Sequence, residues 1–232
     1  TMDGMSTNTA GTSNFIAGNN AGNSIESGGN YNTVVGDEAG TALTTGDNNT
    51  FMGYAAGDAT TTGNSNTAIG RLALSTNTTG AENTAIGVNA LYLATTGTYN
   101  IAIGNSAGAA VTTGVQNTLI GGLAGDAITT AGGNTALGYQ AMSALTTGGG
   151  NTAVGHQSMA NGVVTGLHNT GLGDGSLLVL TSGAYNTGLG KDALAANTTG
   201  ANNTAVGKDA MIANTTGTVN TSVGVDSLTA NT

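Results

Sequence analysis

An Asn-Thr-Ala-Ile-Gly motif recurs thirteen times along this chain, with conservative variation and a near-constant spacing. Its Asn column runs Asn14, Asn32, Asn49, Asn66, Asn83, Asn100, Asn117, Asn134, Asn151, Asn169, Asn186, Asn203 and Asn220; every step is 17 except those from Asn14 and from Asn151, which are 18. A strict period this short marks a solenoid, in which each repeat is one coil stacked on the last. It also makes an enzyme the wrong expectation.

Aligned, the copies resolve into columns. The Gly that closes the motif never changes, Gly70, Gly87, Gly104, Gly121 and Gly138 among them. A position that admits only Gly requires positive φ or a close backbone approach. Before it stands an aliphatic column, with Ile69, Ile86, Ile103 and Ile120, and before that a mostly small one, with Ala68, Ala85, Ala102 and Ala136. A second segment begins three residues after the Gly, as in Ala73-Leu74 and Ala210-Met211. Where its second residue is Gly (Gly40, Gly108, Gly125), an aliphatic residue follows three positions later (Leu43, Val111, Ile128) where Asn otherwise often stands (Asn77, Asn197, Asn214). That exchange reads as volume compensation within one core, and Thr60 after Gly57 is its weaker case. A Thr-Thr-Gly turn then completes the coil.

Gly, Asn and Thr interrupt every stretch, so helices are not expected. The reading is an all-β parallel β-solenoid, a β-roll of about thirteen 17-residue coils with two short strands per coil. Stacked in register about 4.8 Å apart, the coils would make a rod on the order of 60 Å long. One continuous repeat domain, residues 14–232, follows an irregular lead-in, residues 1–13.

Each expected strand carries two adjacent apolar residues. Neighbours in a strand face opposite ways, so both faces call for burial. One face fills the coil; the other, taken as the Ala face, is covered by another copy of the chain or left exposed.

Charged residues make up only 6% of the chain, and the formal net charge is −9 with three basic residues. That balance argues against nucleic acid or an anionic membrane as partner. The absence of cysteine excludes disulfides and thiolate metal sites. No transmembrane stretch is present, so this segment is not expected to insert into a membrane. The chain opens at Thr1 and a repeat is still running at the other end, which reads as a piece of a longer protein anchored elsewhere.

The unit Asn-Thr-Ala-Ile-Gly-x-x-Ala-Leu-x-x-Asn-Thr-Thr-Gly, clearest at 66–80 and 203–217, resembles the head repeats of trimeric autotransporter adhesins. It is also similar to the repeats of bacterial and phage tail-fibre-like proteins. The resemblance implies a left-handed parallel β-roll, three chains side by side, and a place on a cell or virion surface. The adhesin repeats are usually somewhat shorter than the ones in this chain.

Few residues suggest chemistry. Asp192, Asp209 and Asp226 share a column in successive coils, where repulsion is relieved by bridging Ca²⁺ or by Lys191 and Lys208 beside them. His156 and His168 lack a nucleophile or a zinc-binding partner at diagnostic spacing and read as solvent-facing. The Gly-x-Gly-x-x-Ala at Gly188 lacks the βαβ context of a dinucleotide site. Sequons at Asn48, Asn77, Asn197, Asn202, Asn214 and Asn220 fall on repeat positions, which turn geometry explains. No cofactor is expected.

The expected function is therefore display: a homotrimeric, non-catalytic, extracellular fibre segment presenting repeated columns to a host or prey cell-surface glycan or matrix protein. Residues after each Gly (Arg71, Tyr139-Gln140, His156-Gln157, Lys191) are where specificity would differ between coils. Two alternatives stand beside it, a phage tail-fibre shaft and an ice-binding solenoid. Against the latter, the turn Thr residues are adjacent and should point opposite ways.

Overall fold

The computed structural model describes residues 5–6 and 10–230, so the lead-in at 1–13 lies partly outside them. The chain divides into two compact units, Thr1–Gln116 and Asn117–Thr232. Each is an all-β parallel solenoid, and the two together carry about 12–13 turns. In the first, β1 (Met5–Ser6) lies antiparallel to β2 (Phe15–Ala17). From β2 the strands run parallel in sequence order through β3 (Thr33–Val35), β4 (Thr50–Met52), β5 (Thr67–Ile69), β6 (Thr84–Ile86) and β7 (Ile101–Ile103). The second repeats the pattern from β8 (Thr118–Ile120), β9 (Thr135–Leu137) and β10 (Thr152–Val154) to β11 (Thr170–Leu172), β12 (Thr187–Leu189), β13 (Thr204–Val206) and β14 (Thr221–Val223).

Register is column on column: Thr67 opposes Thr84, Ala68 opposes Ala85 and Ile69 opposes Ile86. Short strands suit β-branched Thr and Ile flanking a small residue. The inward residue is the Ala. Ala68, Ala85, Ala102, Ala136, Ala153 and Ala205 are all fully buried, whereas Ile69 is 36% exposed and Leu172 46%. The wet face is thus the aliphatic one, opposite to the sequence expectation, and Ile69, Ile86, Ile103 and Ile120 line its outside. The reason is volume. Ala73 and Leu74 fill the coil from the far side, leaving room for no more than a methyl on the strand.

Where that far-side residue shrinks, the strand residue grows. Phe51 replaces the inward Ala between Gly40 and Gly57, and a Cβ on Gly57 would lie 2.7 Å from the Phe51 ring. Leu119 pairs likewise with Gly125, whose Cβ would meet Leu119 at 2.7 Å and Ile128 at 2.8 Å. The expected exchange is present, with Leu43, Val111 and Ile128 buried, and it extends to the strand column. Thr60, the weaker case, is fully buried in the same coil as Phe51.

Among the described residues each coil carries one strand, and the expected second strand is not seen. In the second segment Leu72 and Leu74 have φ of 58° and 54°, and the same two columns are left-handed in coil after coil. Left-handed residues cannot continue an extended strand. The segment still stacks: Leu74 N donates to Ala90 O at 2.9 Å, and Gly57 N to Ala73 O at 2.9 Å.

The Asn column is buried from Asn14 to Asn203, and Asn220 at its end is half-buried. Asn66 N donates to Asn49 Oδ1 at 2.9 Å, and Asn66 Nδ2 donates to Gly80 O at 2.9 Å, closing its own coil. Asn66 and Asn83 are fully buried, as is Asn117, whose Nδ2 reaches Ala131 O at 2.9 Å. The ladder survives the longer second-unit step, since Asn169 N reaches Asn151 Oδ1 at 2.9 Å. The extra residue is absorbed between Met159 and Val164, leaving Val163 64% exposed. A buried polar column is tolerable only when every group is paired, and this one forms continuous hydrogen-bonded chains within each unit.

Candidate functional site

The closing Gly residues meet both sequence requirements. Gly121 and Gly138 have φ of 132° and 138°. A Cβ on Gly138 would fall 2.5 Å from Gly155 O, and one on Gly121 would collide with Gly138 O. Gly70, Gly87 and Gly104 share the conformation, at 129°, 132° and 137°. The chain turns there and delivers the next residue outward, as with Tyr54, Arg71, Tyr139, His156 and Lys191, all exposed.

Two pairs of successive coils place aromatic rings together. The Tyr139 and His156 rings stack with centroids 5.9 Å apart and planes 10° apart. His156 Nδ1 lies 3.1 Å from Asp174 Oδ1, in the same column one coil further on. Beside them Gln157 Nε2 donates to Gln140 Oε1 at 3.0 Å. In the column just before the Asn, His168 stacks on Tyr185 at 5.5 Å and 22°. Both histidines therefore lie on the surface as expected, each carrying a Tyr that sequence reasoning did not pair with it. The signal was present: both pairs are separated by one repeat length.

The Asp column does not converge. Asp192 Oδ2 is 3.0 Å from Lys191 Nζ, Asp209 is paired with Lys208, and Asp226 is exposed. Hydrogen bonding to these carboxylates raises the pKa of both lysines. Among the described residues no group of three or more His, Cys, Asp or Glu is placed to hold a metal ion. Gly188 occupies an inward strand position facing Ser176 and Leu177. Of the sequons, Asn77, Asn197 and Asn214 are buried and Asn48 and Asn202 exposed. Asn77 Nδ2 is committed to Gly80 O at 3.0 Å and Asn197 Nδ2 to Gly200 O at 3.0 Å.

The two turn Thr residues do separate. Thr61 and Thr78 turn their hydroxyls along the stack, Thr61 Oγ1 donating to Thr78 O at 3.1 Å and Thr78 Oγ1 to Thr95 O at 3.1 Å, while Thr62 and Thr79 are exposed. Two acids differ from the rest: Asp58 and Asp126 each bury an Oδ1 without a hydrogen-bond partner. Desolvation raises the pKa of both, against backbone hydrogen bonds that lower it.

Every charged residue among those described lies outside the strand columns. The outer strand face is Thr alternating with aliphatic, and the variable, ring-bearing and charged positions flank it. Among the described residues no helix is long and apolar enough to cross a membrane. Compared with family models, curated proteins and solved structures, the chain matches none.

Proposed function

We propose that this chain is a non-catalytic segment of an extracellular attachment fibre in which three copies pack through the outward Thr–aliphatic strand face. The observation that carries the reading is that stripe. Met52 and Ile69 in the first unit, and Leu137, Leu172 and Leu189 in the second, are each at least 36% exposed and in register within their unit, with no charge among them. A repeated apolar row on a solvated surface marks an interaction site. Covering it would contribute roughly 1 kcal/mol per side chain, repeated coil by coil. The resemblance to adhesin and tail-fibre repeats supports the same assembly. A rigid trimer would present each exposed column three times, turning weak contacts into avidity.

Light scattering on the purified chain tests it. A mass three times 22.2 kDa is expected, and Leu172→Glu with Ile69→Glu should return the protein to monomer with its circular dichroism intact. A wild-type monomer would sink the assembly.

One observation favours a second reading, ice binding. In β3–β6 and again in β8–β14 the Thr and the aliphatic residue of each strand flank the inward one, giving a hydroxyl row within each unit. Thermal hysteresis measured beside a cell- and glycan-binding panel separates the two: ice shaping without biological binding would replace the fibre reading.

A further inference from the structure

We propose that Tyr139, Gln140, His156 and Gln157 form a binding site for a neutral pyranose, which would make this edge of the second unit the contact point of the fibre with a glycan. The inference rests on the fibre reading for its setting, and on the following geometry for its chemistry.

A pyranose offers an apolar face of C–H groups and a rim of hydroxyls, each able to donate and accept. Its receptor needs a fixed aromatic plane and polar groups of both kinds beside it. Tyr139 supplies the plane. It is 52% exposed, and the parallel His156 ring packs on it at 5.9 Å. His156 is itself held by Asp174 Oδ1 at 3.1 Å. The residue of the same column in the preceding coil is Gly122, whose carbonyl accepts from Gln140 N at 3.0 Å. With no side chain at Gly122, nothing in that column covers the Tyr139 face opposite His156.

The glutamines supply the rim. Their hydrogen bond uses Gln157 Nε2 and Gln140 Oε1, 3.0 Å apart. It leaves Gln140 Nε2 as a donor and Gln157 Oε1 as an acceptor, at two ends of one braced amide pair. Vicinal hydroxyls need that combination. Charge points to a neutral sugar, because the exposed Asp174 carboxylate adjoins the rings and would repel an anionic one.

The second stack lacks these features. His168 leans on Gly150, whose added Cβ would lie 2.5 Å from His168 Nδ1, so backbone already covers that ring. The two stacks share the coil from Asn151 to His168, which is longer than its neighbours by a single residue. Departures from a solenoid repeat tend to gather on its binding face.

The test is NMR on the whole chain with methyl β-galactoside, methyl α-mannoside, methyl β-glucoside and chitobiose, and sialyllactose as the anionic arm. Expected are saturable shifts of the Tyr139 and His156 ring protons with at least one neutral sugar, and saturation transfer to its C–H protons. Tyr139→Ala should weaken binding about tenfold, Gln140→Ala should weaken it also, and Tyr185→Ala should leave it unchanged. Tyr139 and Tyr185 are exposed and Gln140 is half-buried, and circular dichroism checks that each variant is folded. Silence with every neutral sugar, unchanged binding by Tyr139→Ala, or binding of sialyllactose alone overturns the proposal. Light scattering on the same samples keeps the two claims apart. A trimer without sugar binding removes the site and leaves the fibre; a monomer that binds sugar removes the fibre and leaves the site.

Discussion

Asn66 Oδ1 lies 3.0 Å from the backbone nitrogen of Asn83 and 3.2 Å from its Nδ2, so one amide oxygen carries two donors of the next coil. Asn66→Ala would strand Asn83 N and take one donor from Gly80 O in a dry interior. At about 1–3 kcal/mol per orphaned group, the loss should reach about 2–4 kcal/mol. Hydrogen exchange should show the amides of the neighbouring coils losing protection first, since each coil leans only on its neighbours.

The closing Gly column gives a sharper outcome. Gly138→Val combines a left-handed φ of 138° with a Cβ pressed against Gly155 O. It should cost more than about 2 kcal/mol, read as a lowered denaturation midpoint. An unchanged midpoint would mean that the column records repeat ancestry alone.

The core exchange predicts a rescue. Gly57→Leu should destabilise strongly because the new side chain enters the Phe51 ring. Phe51→Ala should destabilise by about 3–5 kcal/mol through the cavity it leaves. The double variant recreates the Ala–Leu pairing of the Asn66 coil, and should be more stable than the sum of the singles by at least about 1 kcal/mol. Additivity would refute the compensation.

Asp58 and Asp126 set a pH dependence. Both carboxyls have folded pKa values raised above 3.8 by desolvation. The folded state therefore binds the proton more tightly, and the contribution of these groups is fully present below the ordinary carboxyl range. It is lost as pH rises through the raised values. Asp58→Asn with Asp126→Asn should raise Tm at neutral pH relative to wild type, and the advantage should vanish at about pH 3. An advantage independent of pH would assign the effect to something other than ionisation.

Much of the fold was legible because its constraints repeat. The Asn and Gly columns are visible to anyone counting by the repeat length, and both proved to be backbone necessities. The orientation of the strand was not legible. Alternation says that Ala68 and Ile69 face opposite ways, but the choice of inside depends on how much space Leu74 leaves. The second segment misled for a related reason: Ala73-Leu74 looks like a strand pair, and nothing in a leucine announces a φ of 54°. Of the candidate site, the outward residues after each Gly were found from the pattern. The stacking of Tyr139 on His156 was missed because columns were compared for likeness, and these two residues are unlike.

The Asn ladder also bears on how such a chain can change its length. Within each unit its bonds join the same column of successive coils, in one direction and with nearly the same geometry. Deleting a single whole repeat between two Asn positions, for example 67–83, would let Asn66 Oδ1 meet Asn100 N as it now meets Asn83 N. Crossing-over between repeats in the coding sequence would thus yield folded products of different lengths. The exception is the Phe51 neighbourhood, where Gly40 belongs to the preceding coil and Gly57 to the coil of Phe51 itself. A junction there parts a large side chain from the gaps made for it, so viable length variants should have their breakpoints elsewhere.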